Sequence, residues 1–265
     1  MRSIAIMNQK GGVGKTTTAV NVSAALAATG QRVCLIDLDP QAHATLHFGI
    51  EPRPQATSIY DVLVSNTKLA DVRRQVDENL WVVGSHLDLA AAELELSGVV
   101  GREQILRDKL VEDDGDFDYL FVDCPPSLGV LTLNALTAVD EVFIPLQPHF
   151  LALHGLGKLL ETIDLVARRL NHRLKLSGVI LCMFDGTTRL AGEVSQDVDD
   201  FFRTQRNGPT SWSGAYTFQT RIRRNIRLAE APSFGQSILQ YAPTSNGAED
   251  YRQLAAEILS CVVAV

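Results

Sequence analysis

Apolar residues along the chain fall into short, nearly unbroken runs separated by stretches of helical spacing. Residues 3–7 (SIAIM), 32–38 (RVCLIDL), 80–83 (LWVV), 119–122 (YLFV), 141–145 (EVFIP) and 176–183 (LSGVILCM) are each of strand length. Runs this apolar suit strands that are covered on both faces. Helical patterns lie between most of them. Residues 16–29 repeat Ala19, Val22 and Leu26 before Gly30 ends the element, and residues 101–111 and 154–170 show similar spacing. A last helix is expected near residues 248–263, running into a short apolar tail, Cys261 to Val265. Residues 207–214 (NGPTSWSG) have loop composition and read as an interruption inside the fold. Strands alternating with helices predict an α/β fold, a single domain over residues 1–265 whose mostly parallel, twisted sheet has helices on both faces.

In sheets of this kind ligands bind beyond the carboxyl ends of the strands, and the polar residues of chemical interest gather there. After the first strand comes Lys10-Gly11-Gly12-Val13-Gly14-Lys15-Thr16-Thr17. A glycine-rich turn between strand and helix aims successive backbone N–H groups at phosphate oxygens, and the helix start adds partial positive charge beneath them. Lys15 then reaches the β and γ phosphates of a nucleoside triphosphate, and the Thr16 hydroxyl stands where Mg²⁺ takes a ligand. The string is a variant of the usual loop, with an additional lysine, Lys10, at its start. Asp123 follows the fourth apolar run, where a carboxylate can hold Mg²⁺ through a water. Asp37 and Asp39, two apart at the end of the second run, are expected to share a side of the strand. One suits the Mg²⁺ hydration shell and the other, Asp39, the orientation of the attacking water. A capping role is the plain alternative for either.

Composition narrows the picture. A formal charge of −7 excludes a protein that coats nucleic acid with its whole surface, yet six arginines (203, 206, 221, 223, 224 and 227) lie between Phe201 and Arg227 with no acid among them, leaving about −13 for the remainder. A local basic face on an acidic body is expected. The four cysteines are widely spaced and three lie in strand-like runs, which suits reduced core thiols in a cytoplasmic protein. No apolar run approaches the roughly 18 to 20 residues of a membrane span, and Met1-Arg2 leads directly into a strand pattern without the look of an export signal.

The strings NQKGGVGKTTTAVN (8–21), LIDLDPQAHAT (35–45), FVDCPPSLGVLTLNAL (121–136), PLQPHFLALHGL (145–156) and RNIRLAEAPSFGQSI (224–238) together closely resemble the ParA/Soj family of partition ATPases, in the larger group that also holds MinD and the nitrogenase iron protein. The resemblance implies an Mg²⁺-dependent ATPase that forms a homodimer around two ATP molecules, binds double-stranded DNA non-specifically as the dimer, and is reset when a ParB-like partner stimulates hydrolysis. It implies that Lys10 crosses the dimer interface to the other subunit's phosphates, that Gly11 sits where the subunits meet, and that Asn225 lies near the base. Arg224 and Arg227 match the family's DNA-contacting segment. Thr187 stands where a further family arginine is usual, with Arg189 two residues later, and Arg223 replaces the usual proline. Such a protein would be cytoplasmic and nucleoid-associated. Two other classes are weighed. A MinD-like membrane regulator needs a terminal amphipathic helix with a basic face, whereas residues 251–258 offer one Arg and one Glu. An iron–sulfur protein needs a second loop cysteine to accompany Cys124, and none is suitably spaced.

Overall fold

The computed structural model describes residues 1–53, 56–149, 152–206 and 208–261. Its centre is an eight-stranded sheet: β1 (Arg2–Ile6), β2 (Val33–Asp37), β3 (Arg73–Asp77), β4 (Leu80–Val83), β5 (Tyr119–Asp123), β6 (Glu141–Leu146), β7 (Lys175–Leu181) and β8 (Tyr216–Thr217). Across the sheet the order is β3-β4-β2-β5-β1-β6-β7-β8, with β3 antiparallel to β4 and every other pair parallel. The mostly parallel α/β architecture expected from the sequence is therefore the one observed, and all six apolar runs are strands.

Each inner strand divides its side chains between two cores. Ala5, Cys34, Ile36, Leu120 and Val122 join the core on one face, while Ile4, Ile6, Val33, Leu35 and Phe121 join the other. This is the two-residue period of a pleated strand acting on a chain apolar at nearly every position, and it explains why these runs show no alternation. Helices Lys15–Ala27 and Asn246–Ser260 pack together on the second face. The latter buries Ala248, Tyr251, Leu254, Ala255 and Ile258 there, so its apolar side is occupied by the core. Of the expected apolar tail, residues 262–265 lie outside the described residues. The segment after residue 207 packs against the sheet edge, with Ser211 accepting from Leu176 N and donating to Asp164 through its own N–H.

Cys34, Cys124 and Cys182 are buried, Cys261 is half-buried, and all are free thiols. Burial pushes the thiols of Cys34 and Cys182 up to about 12, which leaves them protonated and unreactive.

One buried group makes stability depend on pH. His47, at the end of the short helix His43–His47, is 2% exposed, its Nε2 has no hydrogen-bond partner, and burial lowers its pKa from 6.5 to about 4. The unfolded chain takes up a proton below 6.5 that the folded chain refuses until about 4, so stability is lost as pH falls through that window. At roughly 1.4 kcal/mol per pKa unit the loss amounts to about 3 kcal/mol. Urea unfolding at about pH 7.5 and about pH 4.5 is expected to show the wild type losing this much more than His47→Leu. Equal losses in the two proteins would remove His47 as the cause.

Candidate nucleotide site

The loop leaving β1 is held by hydrogen bonds of its own chain. Asn8 donates to Pro145 O (2.8 Å) and accepts from Lys10 N (3.0 Å), tying the start of the loop to the end of β6. Gly12 (φ 72°) and Gly14 (φ 95°) take left-handed conformations that side chains disfavour, and Val13 between them is buried. A Cβ on Gly14 would also lie 3.5 Å from that of Cys182. The helix that follows opens without a side-chain cap. Its first N–H groups, together with those of the turn, form an anion-binding cradle.

Lys15 is 7% exposed and its Nζ donates to Lys10 O at 3.1 Å, so the ammonium folds back over the loop. Burial lowers its pKa, against the opposing pull of Asp123 and Asp39. Thr16 and Thr17 are half-buried at the helix start. Lys10, by contrast, is exposed at the rim, where its ammonium meets His149 Nε2.

Parallel register brings the carboxylates together. Asp123 pairs in register with both Ile6 of β1 and Asp37 of β2, so two carboxylates end adjacent strands at one level. Asp37 is fully buried and saturated with donors: Oδ2 accepts from Thr45 N (2.8 Å) and Thr45 Oγ1 (2.6 Å), and Oδ1 from Asp39 N (3.2 Å). Burial nevertheless raises its pKa to about 6. Asp123, equally buried, has no hydrogen-bond partner at either oxygen. Burial and the neighbouring Asp37 raise its pKa well above the carboxylate range, and the nearby Thr16 hydroxyl opposes this only in part. Asp39 lies past the strand end, 8% exposed, and accepts from Gln41 N (2.9 Å).

Two buried carboxylate oxygens without a donor are out of place unless a cation or its waters complete them. Among the described residues no group of three or more His, Cys, Asp or Glu side chains converges on one point, so protein ligands alone do not form a metal cage here. The donor set suits a cation that takes a Thr16 hydroxyl, phosphate oxygens and water, with Asp123 behind the water.

Beside the cradle a cleft of about 440 Å³ is lined by Gly14, Thr17, Met183, Arg224, Asn225 and Leu228, among others. Its size falls within the range of small-molecule sites. Asn225 is at its edge, where its side chain caps the helix Ile226–Glu230 by accepting from Arg227 N at 2.9 Å. Met183, on the cleft wall, has φ 51°, a strained conformation for a non-glycine residue.

The arginines are less free than their sequence neighbourhood implies. Arg203 pairs with Asp200, Arg223 with Asp250 (2.6 Å) and Glu249 (3.1 Å), and Arg227 with Glu230 (2.7 Å), all acids outside the acid-free stretch. Arg189 pairs with Glu193 along its own helix (2.7 Å), and Arg221 lies over the Phe184 ring, 4.6 Å from its centre. Arg224 is exposed near Asp185, whose pKa is lowered by the Thr187 hydroxyl and N–H and, less, by Arg224. The bridge between Phe184 and Arg223 lays the 184–185 and 223–224 segments side by side.

A sequence profile for a family described as AAA domain matches residues 1–176. The sporulation initiation inhibitor protein Soj of Bacillus subtilis is 46% identical over 96% of this chain and 97% of its own length. The chain belongs to the ParA/Soj family. The chromosome partitioning protein ParA of Caulobacter vibrioides, another member, is 43% identical over 98% of this chain and 94% of that protein. A solved structure of cobyrinic acid a,c-diamide synthase from Mycobacterium smegmatis, with bound ADP and magnesium, superimposes with a TM-score of 0.81 at 37% identity, covering 98% and 94% of the two chains. Two site residues of this ParA/Soj chain go unremarked in the sequence alone, Thr45 and His149. Both act through partners far along the chain or in another element, and residue type gives no signal of that.

Proposed function

We propose that this chain is a Mg²⁺-dependent, ATP-driven dimerising switch that binds DNA non-specifically in its ATP-bound form and thereby segregates or positions DNA or another large cargo. The observation that carries the reading is the contrast between the two loop lysines: Lys15 is buried within the cradle, whereas Lys10 stands exposed at its rim. A cation at the rim is placed to neutralise phosphates approaching from a second copy. Mg²⁺, when bound, supplies charge neutralisation and an ordered shell of water. Thr16 contributes a hydroxyl ligand, Asp123 and Asp37 form the acidic wall behind it, the loop amides and Lys15 hold the phosphates, Asp39 orients the attacking water, and Asn225 borders the base. Hydrolysis is slow until a ParB-like partner stimulates it, and the protein resides in the cytoplasm on the nucleoid.

A MinD-like membrane role is less well supported. No helix among the described residues is long and apolar enough to cross a bilayer, and the helix Asn246–Ser260 has its apolar side in the core.

The deciding experiment measures retention on double-stranded DNA with no nucleotide, with ADP, and with a non-hydrolysed ATP analogue. Binding confined to the analogue is expected, and equal binding in all three would refute the switch. Of the arginines, Arg224 is the best placed for phosphate. Arg224→Ala is expected to weaken binding evenly across sequences and to reduce the slope of log affinity against log salt by about 1. An unaltered slope would move the contact surface elsewhere. Arg223, held by Asp250 and Glu249, serves as an anchor for this segment in the free chain.

Gly11 tests dimerisation separately from nucleotide binding. A Cβ there meets nothing within 4 Å, so the single chain tolerates a larger residue. Gly11→Val is expected to bind ATP within about threefold of wild type yet to remain monomeric by light scattering. A dimer of normal mass would remove Gly11 from the interface.

A further inference from the structure

The string LIDLDPQAHAT ends on a residue to which the foregoing mechanism gives no task. Thr45 is 1% exposed, on the short helix His43–His47, eight residues past Asp37. Its hydroxyl accepts from Ser85 N at 2.9 Å. Since that N–H can only donate, the hydroxyl proton points to Asp37 Oδ2, 2.6 Å away, and Thr45 N adds a second bond to the same oxygen at 2.8 Å. The other oxygen of Asp37 accepts from Asp39 N at 3.2 Å. A continuous chain of hydrogen bonds thus runs from β4, through Ser85, Thr45 and Asp37, to the backbone of Asp39. The neighbouring Asp123 shares none of it and keeps both oxygens open. The two adjacent carboxylates have divided the work, one saturated as scaffold and one left for ligand.

We propose that Thr45 is a positioning residue for ATP hydrolysis, acting through the carboxylate of Asp37 to fix the backbone, and with it the side chain, of Asp39. This rests on the reading of Asp39 as the residue that orients water. The shape of the site supports it from the other side as well. A Cβ on Gly84 would come within 3.1 Å of Thr45 Cγ2, so the backbone after β4 closes against the Thr45 methyl and leaves its hydroxyl one direction. A group held this way alters the geometry of attack more than the affinity for phosphate, because Thr45 does not line the cleft and its hydroxyl is engaged by Ser85 and Asp37.

The test compares Thr45→Val, which keeps shape and backbone N–H but loses the hydroxyl, with Thr45→Ser, which keeps the hydroxyl, and with Asp39→Ala. In the full-length protein with Mg·ATP, Thr45→Val is expected to lower kcat by about tenfold or more with KM and analogue affinity within about threefold. Thr45→Ser should restore most of kcat. In an Asp37→Asn background the Val substitution should add little, since both act on one chain of contacts. A Thr45→Val protein that hydrolyses at the wild-type rate overturns the proposal, as does a parallel loss of kcat and affinity, or a Ser variant no better than Val. If thermal melting shows that Thr45→Val does not fold, Thr45→Ala is judged by the same criteria. Should Asp39→Ala hydrolyse normally, the Asp39 reading falls and the role of Thr45 with it; a stalled Asp39→Ala beside a normal Thr45→Val sinks Thr45 alone.

Discussion

Replacing Lys15 with alanine is expected to weaken ATP binding by at least about a hundredfold, which corresponds to roughly 3 kcal/mol. The ammonium is folded into the cradle, and burial has already lowered its pKa, so its charge is poorly screened by water. A triphosphate entering without it would meet Asp37, Asp39 and Asp123 with only backbone amides, Thr16 and its own Mg²⁺ as counterweight. The free protein should change as well. Asp123 loses the lysine that pulls against its burial, and the mutant is expected to melt at lower temperature without nucleotide. Isothermal titration with Mg·ATP and a thermal melt of the free protein check the two effects. An affinity within tenfold of wild type, in a folded mutant, would mean that the amides and Thr16 suffice and that the site has been misjudged.

The parts of this site that could be read from the sequence are those written locally. The cradle is eight consecutive residues whose geometry follows from their own glycines, so its place after β1 was predictable. Asp37 and Asp123 ended apolar runs, and parallel register then set them side by side. Strand β3 escaped because RRQVD is a polar edge with little apolar pattern, and β8 because two residues carry none. Helix Arg189–Gln205 escaped in spite of its pattern: Ala191, Val194, Val198 and Phe202 recur at helical spacing among many charges. What pairs at long range was not legible. An acid-free stretch of six arginines looks like a bare basic face only to a count along the chain, since Asp200, Glu230, Glu249 and Asp250 approach from outside it. What holds Asp37 in place was hidden for a related reason. Its hydrogen bonds run to Thr45 and through it to Ser85, which the sequence places on other elements.

Asp39→Ala should behave in the opposite way to Lys15→Ala, keeping ATP while ceasing to cleave it. The residue is 8% exposed, beyond the end of β2, and close enough to Lys15 and Asp123 to influence both. Removing a negative charge from beside the phosphates relieves repulsion, so affinity should hold or improve. Hydrolysis should fall by a factor on the order of a hundred or more, because phosphoryl transfer draws its rate from positioning and charge, and a misplaced water loses the positioning. With cleavage stalled, the ATP-bound pair should persist, visible in light scattering as a dimer that outlives the wild-type one. The competing account gives Asp39 no chemistry and treats its bond from Gln41 N as a loop cap. Loss of such a cap costs about 1 kcal/mol of stability and leaves turnover alone. A melt and a turnover assay on the same preparation separate the accounts, since a cap lowers the melting temperature at constant rate and a water-orienting group lowers the rate at nearly constant melting temperature. In the Lys15→Ala background the two accounts diverge again: with no nucleotide held there is no rate left to lose, and whatever Asp39→Ala still changes is structural.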